Sequence, residues 1–94
     1  MNIYVNESNG DVYQLKRKTA HNVLFDILSK GDKKEATVIP LLATKPLKEM
    51  SENDYVIKVL KKYESNAESI TVKELNTLHN LGYQRLTHVM DMAI

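Results

Sequence analysis

The stretch IYVNESNGDVYQLK near the N-terminus constrains the fold more than any other part of the chain. Asn9-Gly10 is a strong turn signal, because both residue types tolerate positive φ. Alternating apolar residues flank it, so the segment reads as a β-hairpin. A strand places successive side chains on opposite faces. Ile3, Val5 and Val12 therefore share one face, and Tyr4, Tyr13 and Leu15 share the other. Both faces are partly apolar. A lone hairpin is marginal in water, so this one needs a further strand or helices packed against it.

The rest of the 94-residue chain has to supply that support within one domain, residues 1–94, because the chain is too short for two independent cores. Thr19 is placed to cap a helix from Ala20 to Lys30, with Ala20, Val23, Leu24, Ile27 and Leu28 as its apolar stripe and Gly31 as its terminator. In ATVIPLLATKP, Val38 and Ile39 favour a strand. Pro40 cannot donate to a ladder, so residues 36–40 read as a short third strand at a sheet edge. Pro46 opens a short helical turn through Glu49.

The clearest helix is SENDYVIKVLKKYES. Ser51 and Asp54 have N-cap and N3 spacing, Met50 and Tyr55 have staple spacing, and the charges suit the helix dipole. Val56, Val59, Leu60 and Tyr63 face inward. After a polar connection, Thr71 and Glu74 form a second capping box, with Ile70 and Leu75 as its staple. That helix carries Leu75, Leu78 and Leu81. Gly82 ends it, and a last helix runs from Gln84 to Met92. A single helix continuing through Gly82 is the competing reading, since a mid-helix glycine costs only about 1 kcal/mol. The expected architecture is α+β: an N-terminal β-hairpin with a third short edge strand, packed against three or four α-helices.

The segments GDKKEATVIPLLA and KEMSENDYVIKVLKKYESNAESI resemble the opening of the YqeY family, which is related to the tail domain of GatB amidotransferase subunits. The shared rhythm is a turn, an apolar helix, then a Ser/Thr-capped acidic start and a Val-Leu-Lys-rich helix. The resemblance implies a helical domain with a tRNA-associated role. Pro40 stands where that family has a helix interior, and the N-terminal hairpin has no counterpart there. No family is assigned on this basis.

Composition narrows the function. The formal net charge is +1. A protein that neutralises many phosphates shows a basic excess, and a DNA mimic shows an acidic one. Neither is present overall, although Lys and Arg concentrate between Lys16 and Lys62. The chain contains no cysteine, which excludes disulfides, thiol catalysis and Cys-ligated zinc. No metal-binding, phosphate-cradling or nucleophile-elbow motif appears. The three histidines, His21, His79 and His88, do not form a ligand set by spacing. Ser51 and Thr71 are accounted for as helix caps. No enzyme activity and no cofactor are expected. The opening residues lack an apolar signal core, and the apolar run Val38–Ala43 is interrupted by Pro40, so the expectation is a cytoplasmic protein without a membrane partner.

Two binding readings remain. In the first, the chain binds a host or partner protein and modulates it by surface occlusion, as small proteins of phages and mobile elements do. Tyr4, Tyr13 and Leu15 are the anchors, with Lys16, Arg17 and Lys18 as a charged rim. Tyrosine suits this role because it joins apolar area to a hydrogen-bonding tip. The tail MDMAI offers a homodimer contact. In the alternative, residues 71–93 form a helix-turn-helix whose Gln84, Arg85, Thr87 and His88 read nucleic acid. Against it, Leu78 occupies a position where such motifs need a small residue.

Overall fold

The computed structural model describes residues 2–31 and 33–83. These form a five-stranded antiparallel sheet, with two α-helices against one face. The strands are β1 (Asn2–Val5), β2 (Val12–Lys18), β3 (Asn22–Ile27), β4 (Glu35–Pro40) and β5 (Lys48–Ser51), in the spatial order β4-β3-β2-β1-β5. The helices are α1 (Glu52–Ser65) and α2 (Val72–Asn80). The α+β class is as expected. Among the described residues the helices number two rather than three or four, and the sheet is larger than a hairpin plus one strand.

β1 and β2 form the N-terminal hairpin, with Tyr4 opposite Tyr13 and Val5 opposite Val12. Their connection is longer than a two-residue turn. Asn6 and Asp11 close it through backbone hydrogen bonds, and the side chains of Asn6 and Asn9 accept from Ser8 and Asp11 N–H groups. Of the Asn-Gly pair only Gly10 takes a positive φ, +82°.

The segment expected to be a helix from Ala20 to Lys30 is β3. Thr19 does not cap a helix. Its N–H and hydroxyl both bond the Asn22 carbonyl, closing the β2–β3 turn. NVLFDI then pairs on both sides, with β2 and with β4. Apolar residues stand on both faces of this segment, and Val23, Leu24, Ile27 and Leu28 therefore fall at helical spacing and mimic a helical stripe. The short helical turn expected from Pro46 to Glu49 is likewise replaced, at its end, by β5, which pairs with β1. The fully helical middle implied by the YqeY resemblance is not present, because residues 35–40 are strand and residues 48–51 are strand.

Residues 36–40 do form an edge strand, beside β3 rather than beside the hairpin. Leu41 N–H donates inward to the His21 carbonyl at 2.8 Å. Strand alternation then points the Pro40 nitrogen outward, so the open edge lacks a donor there.

Both helix starts follow the sequence. Ser51 accepts from Asp54 N–H, and Thr71 with Glu74 completes a reciprocal capping box. At the end of α2, Gly82 adopts φ +93°, while Tyr83 N–H donates to Leu78 and Gly82 N–H to His79. This is the Schellman pattern, and it ends the helix. One continuous helix through Gly82 is therefore not formed. The helix expected from Gln84 to Met92 lies outside the described residues.

The core sits between the helices and one face of the β5–β1–β2 half of the sheet. Ile3, Val5, Val12, Leu28, Tyr55, Val56, Val59 and Leu78 are its buried members. A polar seam along α2 completes the docking. Lys73, Asn76 and Asn80 lie three and four residues apart on one helix face. Lys73 Nζ reaches the Asn9 carbonyl (2.7 Å) and Asp11 Oδ1 (3.1 Å). Asn76 Nδ2 donates to the Ser29 carbonyl, and Asn80 Nδ2 to those of Leu28 and Gly31. The buried Ser29 hydroxyl accepts from Val12 N–H and donates to Asp11.

Candidate functional site

The opposite face of the sheet is built by β1, β2 and β3. Tyr4, Tyr13, Leu15, Val23 and Phe25 share it, as their register requires. Phe25 and Val23 are sealed, and both tyrosine rings meet the Phe25 ring at centroid distances of 5.5 Å. Those tilted, edge-on contacts fix the rings and make the face a stiff platform.

What seals Phe25 follows from topology. β4 and β5 occupy opposite edges of the sheet, so the chain between them must cross from one edge to the other. Residues 41–47 make that crossing on this face, beginning with a 3-10 turn at Leu41–Thr44. The Thr44 hydroxyl donates to the Leu41 carbonyl (2.7 Å), and Leu47 N–H donates to the Thr44 carbonyl (3.0 Å). The strap leaves a notch of about 70 Å³, bounded by Leu41 and Thr44 above and by Tyr4, Leu15, Val23 and Phe25 below, with Lys18 beside it.

Exposed aliphatic groups occur on the notch wall and on the strap. Leu15 is 41% exposed and Leu42 on the strap is 75% exposed. Isolated exposed leucines are ordinary on protein surfaces. Here Leu15 borders a recess whose floor is Phe25 and Val23, and Leu42 stands on the strap that roofs it.

The structure brings Tyr4, Tyr13, Leu15 and Lys18 of the sequence-derived set onto one face, and it separates Lys16 and Arg17 from them. The cause is a β-bulge between Leu15 and Arg17. Leu15 pairs with Phe25, but Arg17 pairs with Leu24, which points the other way, and Lys18 pairs with Val23. Lys16 forms an ion pair with Asp26 at 3.7 Å. Sequence reasoning missed Phe25, Leu41 and Leu42. The alternation of Val23, Phe25 and Ile27 could have revealed Phe25. Nothing local marks the strap, since its position depends on where β5 pairs. Gln84, Arg85, Thr87 and His88 lie outside the described residues.

Both tyrosine hydroxyls are held in the neutral form. The Tyr4 hydroxyl donates to Glu49 Oε2 at 2.7 Å, and this bond, with partial burial and the carboxylate charge, raises its pKa above 10.0. Burial, then the charge of Asp11, raises that of Tyr13. Both phenols stay neutral near pH 7.

A second hollow of about 400 Å³ opens between the β1–β2 loop and the helices. Its Lys62 and Glu74 are joined at 2.8 Å, and Thr71 and Glu74 are committed to the α2 cap. Lys58 and Glu7, of opposite sign, also line it. That balance favours neither an anion nor a cation. Among the described residues, no three His, Asp or Glu side chains are grouped as metal ligands, and no helix is long and apolar enough to cross a membrane.

The chain defines a class by architecture alone: a five-stranded antiparallel sheet with two helices on one face and a strap on the other. It matches no family model, no curated protein sequence and no solved structure.

Proposed function

We propose that this is a small non-catalytic binding protein that modulates a partner protein by covering part of its surface with the strapped sheet face. Leu15 and Leu42 are the contact residues, Tyr4 and Tyr13 form the supporting platform, and Lys18 stands at the rim. The observation that carries the proposal is the exposed Leu15 bordering a notch whose floor, Phe25 and Val23, is buried, with Leu42 exposed on the strap that roofs it. Interface cores favour such pre-organised apolar recesses, because little side-chain freedom is lost on binding.

Tyr4 and Tyr13 hold Phe25, so removing them would disturb the fold. Leu15→Asp/Leu42→Asp alters only the exposed groups. Chemical cross-linking in nuclease-treated native extract, with the tagged wild type beside this double variant, tests the proposal. The expected result is a discrete protein adduct that the variant loses while keeping its thermal melt. The same adduct at equal yield from the folded variant would remove this face from the function.

A further inference from the structure

We propose that the strapped face takes an acidic, extended segment of a partner protein, one aliphatic side chain of which enters the notch between Leu15 and Leu41; this rests on the binding reading above. The argument is one of unmatched charge. On this face the acids are already engaged. Glu49 accepts the Tyr4 hydroxyl, and Glu35, opposite Ile27 on β4, is paired with Lys30 at 3.3 Å. The cations are not. Lys18 lines the notch, and Lys45 follows Thr44 on the strap, and neither has an ion pair among the described residues. His21 lies at the same end of the sheet, its carbonyl holding Leu41. Complementary charge around an apolar anchor selects the partner and speeds encounter.

The geometry also favours the face over the edge as the docking mode. Addition of a strand to β4 would need outward donors, and Pro40 removes one of them. The notch is small, which suits a single valine, leucine or methionine tip rather than an aromatic ring. Lys18 can lay its aliphatic stem along the entering side chain and keep its ammonium free for a flanking carboxylate.

Selection from a random-peptide display library, against wild type and against Lys18→Glu/Lys45→Glu, tests the inference. Both lysines are exposed, so the variant should keep the wild-type melt. Wild type is expected to enrich peptides with an aliphatic residue flanked by Asp or Glu. A resynthesised peptide should bind the lysine variant about tenfold more weakly, and its affinity for wild type should fall as salt rises. Enriched peptides that depend on Leu15 but carry no acidic bias would overturn the acidic-partner inference and leave the binding face standing. Peptides indifferent to Leu15→Asp/Leu42→Asp, or no enrichment at all, would overturn both.

Discussion

Asn80 ties the last turn of α2 to the loop after β3, across a separation of about fifty residues, and its loss should be costly for a residue that is not fully buried. Its Nδ2 donates at 2.9 Å to the Leu28 carbonyl and at 2.8 Å to that of Gly31. Asn80→Ala removes both donors. At about 1 kcal/mol net for each hydrogen bond, the loss is about 2 kcal/mol. For a domain of this size that lowers Tm by roughly 8–16 °C. Asn80→Asp is the sharper perturbation. It keeps the shape of the side chain but sets acceptor oxygens and a negative charge against two carbonyls. It should therefore destabilise more than alanine does, by about 1 kcal/mol further. Urea unfolding followed by circular dichroism measures both, with an unchanged m-value showing that the unfolded state is not the cause. An aspartate variant as stable as wild type would refute the assigned donor role, whatever alanine does.

Glu74 gives a pH signature. Burial raises its pKa, but hydrogen bonds from Lys62 and from the Thr71 N–H and hydroxyl, with the Lys62 charge, outweigh burial and hold it below 4.5. A depressed carboxyl stabilises the fold above its unfolded pKa, and that contribution is lost as pH falls through the lower folded value. Glu74→Gln should thus be about 1 kcal/mol less stable than wild type near pH 7, with the gap closing in acid below that value, as denaturant titrations at the two pH values would show. Burial is the main cause that pushes Tyr55 up to about 12, with the Glu74 charge adding to it and a hydrogen bond with Thr77 opposing it. Its contribution should be intact below pH 10.0 and fall away between there and about 12, seen as tyrosinate absorbance that appears together with alkaline unfolding. Phe25 is 1% exposed and supports both tyrosine rings, so Phe25→Ala should lose about 3–5 kcal/mol and the near-ultraviolet dichroism of the native state. A variant that kept that signal would contradict the platform.

The parts legible in the sequence are those whose physics is local. Ser51, Thr71 with Glu74, and Gly82 mark helix ends because each side chain or positive φ acts within a few residues. The division of Ile3, Val5 and Val12 from Tyr4 and Tyr13 follows from strand alternation. Pro40 signals an edge strand because it lacks a donor. The β3 segment was not legible in the same way. Val23, Leu24, Ile27 and Leu28 satisfy a helical spacing as well as positions on the two faces of a strand, and Thr19 serves a tight turn as readily as a cap. Only the ladder with β2 and β4 decides between them. The rim of the candidate site failed for a similar reason. One bulge after Leu15 turns Lys16 and Arg17 away and returns Lys18, and a bulge depends on the partner strand.

By itself the sequence determined where α1 and α2 start and where α2 stops, which hairpin residues share a face, and that the chain has no cysteine chemistry. Tertiary structure decided that residues 22–27 pair as a strand, that β5 returns beside β1, and that the connection to it must cross the far face. Local preferences act over one turn or one strand. The strap and its notch exist only because two sheet edges, settled by pairing between distant segments, had to be joined by a short chain.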